Sequence, residues 1–302
     1  MSDSSAALRA RMGSATDLQS MARTMKTIAA ANIGQYEAAV RALDRYFDVV
    51  QDSLATCLRG TGGTVTGAAQ ASGPAGAIVF GSDQGLVGQF NQAICARALA
   101  GVDAPARYAA LWPVGERIAA ALLERGMACG AALPLPASIE AVTALVGQLL
   151  VEIEARAATD GVETIYVFHH QPVPGNGYLP VCQRLLPLDQ VWERTLAARP
   201  RTTPAIVQVL PEGEATLRAC IREYLFVSLF RACAESLSSE NAARLAAMQR
   251  AEKNISERLQ LLRQTFHRQR QGVIDAELFD LVAGFEAQHQ QTPPRKRANT
   301  QN

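Results

Sequence analysis

The sequence predicts a chain of class α plus α/β. A long antiparallel two-helix coiled coil is formed by the N- and C-terminal helices, and a central Rossmann-like α/β domain lies between them in sequence. Three observations predict this. Twelve of the fourteen prolines lie between Pro74 and Pro211, and the other two are Pro293 and Pro294. An interior proline costs a helix about 3 kcal/mol, so each proline-free flank can be one helix. In both flanks apolar residues recur at steps of three, four and seven, the spacing of a coiled-coil stripe. The middle, by contrast, alternates strand-like and helix-like runs, the pattern of a small, largely parallel α/β layer.

The elements follow in order. The first helix occupies 1–58, with a stripe of Leu18, Met21, Met25 and Ile28, then Tyr36, Val40, Leu43, Phe47, Val50 and Leu54. The stripe changes phase between Ile28 and Tyr36, which predicts a local stutter in supercoiling. The Gly/Thr/Ser-rich segment 59–75 reads as a linker. The α/β domain spans 76–211, with strands at 77–80, 108–112, 164–169 and 205–210 and helices at 89–100, 114–125 and 138–157. The second long helix covers 212–290. Its stripe is Met248, Ile255, Leu259, Leu262 and Phe266, then Val273, Leu278, Leu281 and Phe285. The tail 291–302 is polar and basic and reads as disordered. The seam expected from this pattern is Leu18, Met21 and Ile28 against Ile255, Leu259, Leu262 and Phe266.

Composition narrows the function classes. A net charge of +1 gives no global pull toward nucleic acid or an anionic membrane. No apolar run approaches the roughly 18–20 residues of a membrane span. The N-terminus lacks the apolar region of a signal peptide, so the chain reads as cytoplasmic and not inserted in a membrane. The six cysteines make no CxxC and read as reduced, buried thiols. His169 and His170 stand at the end of an apolar run, where alternation sends them to opposite faces. A surface or strand-end position is expected for both.

Catalytic motifs fail on inspection. Gly81–Asn91 (GSDQGLVGQFN) follows a strand and precedes a helix, the place of phosphate-binding loops. It does not match GxGxxG. The chain's three lysines, Lys26, Lys253 and Lys296, all lie outside the α/β middle, so no Walker lysine is present. No GxSxG or HExxH occurs either. We therefore expect no catalytic site, no directly bound cofactor and no metal site. Charge on the helices says more. No acid stands between Asp17 and Glu37, a span holding Arg23 and Lys26, and none between Glu257 and Asp275, which holds Arg258, Arg263, His267, Arg268 and Arg270. Antiparallel packing should bring these basic stretches close, as a collar for an acidic partner.

Longer motifs carry a family resemblance. Ser238–Ala287 (SSENAARLAAMQRAEKN…RQGVIDAELFDLVAGFEA) resembles the C-terminal signature of F-type ATP synthase gamma subunits. Met12–Asn32 resembles that family's IxSVxNxxKITxAMxMVAAxK, and Ser82–Asn91 its SDRGLCGxFN. The departures are Phe266 and His267 for Tyr-Asn, Asp275 for threonine, Phe285 for alanine, Val87 for cysteine and Asn32 for a basic residue. They suggest a divergent branch such as the alternate bacterial type.

The resemblance implies a rotary motor's central-stalk subunit, with a coiled coil inside the ring of alpha and beta subunits. Its middle would rest on epsilon and the membrane rotor ring of c subunits. ATP, ADP and magnesium would stay on partner subunits, and the complex would lie peripherally at the cytoplasmic face of the bacterial inner membrane. Met25 and Lys26 match positions facing an acidic lever of beta. Arg244, Arg270, Gln271 and Glu277 match polar contacts to the ring, Arg268 is expected to join them, and Asp275 stands at a contact position where the family has a threonine. A second reading is a free cytosolic α/β protein that binds a nucleotide or metabolite at Gly81–Gly88 and dimerises through its helices.

Overall fold

A computed structural model describes residues 2–60, 73–100, 108–175, 177–188, 190–200 and 214–290. The expected strand at 205–210, most of the linker and the tail 291–302 lie outside them. Helix α1 runs Ser2–Gly60 and helix α6 runs Glu214–Gln290. Between them come β1 (Ala75–Phe80), α2 (Phe90–Ala100), β2 (Ala110–Val114), α3 (Glu116–Glu124), α4 (Ile139–Asp160), β3 (Thr164–Val173), β4 (Gly177–Leu186) and α5 (Gln190–Ala197). The chain divides into two compact units, residues 25–248 and residues 1–24 with 249–302.

The larger unit is built on one sheet of order β2-β1-β3-β4, with β1 parallel to β2 and β3, and β4 antiparallel to β3. β1 and β2 are buried along their whole length, as expected of strands covered on both faces. One face carries Ile78, Phe80, Trp112 and Val167 and packs on α4 and on Tyr36, Leu229, Cys233 and Leu237 of the long helices. The other carries Ala77, Val79, Leu111 and Phe168 and packs on Ile94, Cys95, Ile118 and Leu122 of α2 and α3. A third cluster joins Leu54 and Leu58 of α1 to Tyr224 and Val227 of α6, with Leu188 and Leu196.

Two elements were not expected, β4 and α5. Strand β4 contains Pro180, which lacks an N–H for the ladder, and it tolerates that residue because it is an edge strand. Pairing with β4 also extends β3 to Val173. His169 and His170 therefore sit inside the sheet opposite Val181 and Pro180, correcting the expected strand-end position.

In the smaller unit α1 and α6 are antiparallel. Arg9 lies over the Phe266 ring at 5.2 Å, the Gln19 side-chain amide donates to Ser256 Oγ at 2.7 Å, and Arg23 Nε donates to Glu252 at 3.2 Å. Each step along α1 is matched by an equal step back along α6. This register corrects the expected collar, because Arg23 meets an acid rather than the basic stretch after Glu257.

The expected N-terminal seam is also corrected. Leu18 is 55% exposed, and Met21 and Ile28 are each 56% exposed. Between Leu8 and Val50 the buried positions of α1 are Leu8, Ala22, Ala29, Tyr36 and Val50, all in one heptad phase that continues through Ile28–Tyr36 where a slip was expected, and Leu54, Ala55, Cys57 and Leu58 are buried in the last turns. Three of the buried positions, Ala22, Ala29 and Ala55, are alanines, which let helix backbones approach closely. A stripe traced through large side chains alone follows the wrong face. On α6, Leu259 is buried and Ile255, Leu262 and Phe266 are half-buried.

Candidate partner-contact surfaces

The loop after β1 is where a small ligand would be sought, and its polar groups are spent on the fold. The Asn91 carboxamide accepts from Ser82 N–H at 3.0 Å and donates to Ser82 Oγ at 2.8 Å, and Ser82 Oγ donates to the Gln84 carbonyl. The Asp83 carboxylate accepts from the backbone N–H of Glu116 and of Leu135, each at 3.0 Å. Asp83 thus fills the anion position at the start of α3, where a phosphate would otherwise be held.

Space is as tight as the hydrogen bonding. A Cβ on Gly81 would stand 2.2 Å from Ile118 Cβ, and one on Gly115, at φ +117°, would stand 2.8 Å from the Ser82 backbone. These two glycines let β1, the loop and α3 touch. Replacing Asp83 with alanine leaves two backbone N–H groups without their acceptor and should cost about 1–3 kcal/mol. A fall in the urea midpoint of the full chain checks this; an unchanged midpoint refutes it.

The stretch of α6 that carries the strongest motif is also buried. Ser236, Leu237, Ser238, Ser239, Glu240, Asn241, Ala242 and Ala243 all lie in the interior. The Asn241 side chain donates to Leu237 O at 2.8 Å and accepts from Asn32 at 3.4 Å, while Ser239 Oγ donates to the His170 carbonyl at 3.1 Å. Arg244 donates to Glu240 at 2.6 Å. Burial raises the Glu240 carboxyl above its ordinary value against the pull of Arg244. The Ser-Glu-Asn motif is thus a fastening between α6, α1 and the sheet. Arg244, expected as a ring contact, is engaged inside the chain.

A chain of charges, missed in the sequence, runs beside it from exposed Asp44 through half-exposed Arg231 to the buried Glu235 and His169. Arg231 reaches Asp44 of α1 at 3.0 Å and Glu235 at 2.9 Å, and Glu235 holds His169 of β3 at 3.1 Å. Burial alone would raise the Glu235 carboxyl. Hydrogen bonds from His169 and Arg231, with their charges, carry it below the ordinary range instead. On the opposite face His170 stacks on Phe90 at 4.0 Å, and burial, then the neighbouring His169, lowers its pKa to about 3. His170 is therefore a neutral core ring. The signal that could have revealed the network is the i,i+4 pair Arg231–Glu235, two opposite charges within an apolar part of α6.

The remaining predicted contact residues fall in two places. Met25 and Lys26 are half-buried on α1 in the larger unit. Arg268, Arg270, Gln271, Asp275 and Glu277 are exposed on α6 in the smaller unit. Among and after these charges α6 also exposes large apolar residues. Val273, Ile274, Leu278, Phe279, Leu281 and Val282 are all exposed, with Phe279 and Leu281 each at 72%. Soluble surfaces seldom leave so many large apolar side chains together in water. None of the helices among the described residues is long and apolar enough to cross a membrane.

Long terminal helices that pair antiparallel, a small four-stranded α/β unit and large apolar side chains exposed near the end of α6 suit a subunit of a larger assembly. The family model described as ATP synthase matches residues 4–288. The ATP synthase gamma chain of Granulibacter bethesdensis is 26% identical over 297 residues, covering 93% of this chain and 98% of the relative. That of Moorella thermoacetica is 26% identical over 286 residues, covering 93% and 97%. A chain of the Euglena gracilis mitochondrial ATP synthase, solved with its c-ring in rotational state 3, superposes with a TM-score of 0.70 at 16% identity over the full length of both. This chain belongs to the ATP synthase gamma chain family.

Proposed function

We propose that the chain is the central-stalk rotor subunit of a rotary ATP synthase, coupling ion flow through a membrane rotor to nucleotide chemistry on other subunits. The observation that carries this reading is the run of large apolar side chains near the end of α6, from Val273 to Val282, which no other part of the described residues covers. Such a surface fits a greasy sleeve in a ring of alpha and beta subunits. The α/β domain then engages epsilon and the ring of c subunits, and the complex sits peripherally on the cytoplasmic face of a bacterial inner membrane.

In this reading the shaft needs no catalytic residues and holds no cofactor; ATP, ADP and magnesium belong to the ring. An asymmetric shaft presents different side chains to each catalytic site at each angle. A ligand shifts a conformational equilibrium by its difference in affinity for the two states. Met25, Lys26, Arg268, Arg270, Gln271, Asp275 and Glu277 are the proposed polar contacts that make this difference.

The second reading, a free nucleotide- or metabolite-binding protein, is disfavoured by the loop after β1, where Ser82 and Asn91 bond each other and Asp83 is held by the backbone of Glu116 and Leu135. The deciding experiment is affinity purification of the tagged full chain from solubilised membranes, followed by mass spectrometry. Alpha, beta and rotor subunits should appear in fixed proportion to it. Recovery of the chain alone would end the stalk reading.

Exposed donors on α6 give a finer test. Charge-assisted hydrogen bonds contribute roughly 1.5–3 kcal/mol each. Arg270→Ala with Gln271→Ala should slow ATP hydrolysis about tenfold while subunit proportions stay normal. Unaltered rates would leave both residues as solvated surface.

A further inference from the structure

We propose that Cys57 and Cys220 form an oxidisable dithiol that closes to a reversible disulfide, tying the last turn of α1 to the start of α6. Their Sγ atoms stand 3.9 Å apart across the two helices. A disulfide requires about 2.05 Å, so closure needs a shift of about 2 Å between two side chains at helix ends. Both residues belong to the larger unit, where the surrounding cluster of Leu54, Leu58, Tyr224 and Val227 already holds the helices together. The packing thus aligns the thiols before any bond forms.

Access differs between the two. Cys57 is buried, while Cys220 is half-buried and reachable from solvent. Burial, and then the adjacent Cys57, pushes the Cys220 thiol up to about 11. At neutral pH it rests as a thiol, and since the thiolate is the attacking form, oxidation is slow there and quickens as pH rises.

With a low-molecular-weight disulfide as oxidant, Cys220 Sγ attacks one sulfur of the reagent. The reagent's S–S bond breaks and one reagent thiolate leaves. Cys57 Sγ then attacks Cys220 Sγ and expels the second. The protein loses two electrons and two thiol protons, which appear in two released reagent thiols. On the stalk reading above, the bond would cross-tie both shaft helices.

The test is peptide mapping of the full chain after oxidised glutathione at pH 7 and pH 9. We expect trypsin to release Tyr46–Arg59 linked to Ala219–Arg222, formed at least about tenfold faster at pH 9 and lost on reduction. Cys57→Ser should trap glutathione on Cys220. Full alkylation of both thiols after oxidant at pH 9, or an unmodified Cys220 in the Cys57→Ser chain, overturns the proposal. The map is read on the chain itself, so it fails or succeeds independently of the stalk assignment.

Discussion

Phe279→Asp combined with Leu281→Asp should leave the chain folded and abolish its incorporation into a catalytic ring. Both side chains are 72% exposed, so the fold draws nothing from their burial. Surface changes of this kind usually move stability by less than about 0.5 kcal/mol. Inside a sleeve the same residues would be covered. Burying one large apolar side chain contributes about 1.5–3 kcal/mol, so losing two removes about 3–6 kcal/mol. Carrying two carboxylates into an apolar lining adds a desolvation cost of several kcal/mol. Since about 1.4 kcal/mol is a factor of ten in affinity, assembly should fail outright.

The control is Leu259→Asp, which puts a charge at a buried position of the same helix. It should loosen the pairing of α1 with α6 and lower the melting temperature of the chain itself. Native mass spectrometry of reconstituted complexes, read beside thermal unfolding, separates the two cases. Normal assembly of the double aspartate variant would mean that the apolar end meets no sleeve.

That contrast also shows what was legible in the sequence. The two long helices followed from the distribution of prolines, and their antiparallel pairing from the bracketed middle. The α/β layer followed from alternating short runs. The buried face of α1 did not follow, because Ala22 and Ala29 occupy it while Leu18, Met21 and Ile28 stand outside. Hydrophobicity ranks a methionine above an alanine. Close helix packing reverses that order, and the large residues are left for another surface.

The Ser238–Ala243 motif was legible as a family mark but not as a physical element. Only the fold shows that Ser239, Glu240 and Asn241 are interior groups bonded to His170, Arg244, Leu237 and Asn32. Likewise, nothing local reveals that His169 meets Glu235, since the pairing depends on how β3 lies across α6. Long-range polar contacts of this kind leave no periodicity.

Glu235→Ala should be the most damaging single change within the fold. It leaves the buried His169 Nε2 without its acceptor in the interior and takes from half-exposed Arg231 one of its two carboxylates. Removing one partner of a buried ion pair typically costs 3–5 kcal/mol, a large share of the roughly 5–15 kcal/mol that holds a domain folded. Glu235→Gln keeps the shape and one acceptor oxygen but removes the charge, so it should cost about half as much.

The pH dependence distinguishes charge from shape. The folded-state carboxyl of Glu235 titrates below its ordinary value. Its contribution is therefore complete above the unfolded value of about 4.3 and disappears as pH falls through the folded one. Asp44, Arg231 and His169 are the charged or titratable groups joined to it in the network. The stability gap between the native chain and Glu235→Gln should be widest near pH 7 and should shrink once pH drops below about 4, as the native side chain gains its proton. Urea midpoints for both proteins at pH 7 and below pH 4 decide the matter. A gap of equal size at both values would show that Glu235 acts through its shape and hydrogen bonds, with its charge contributing nothing to the fastening of α1, α6 and the sheet.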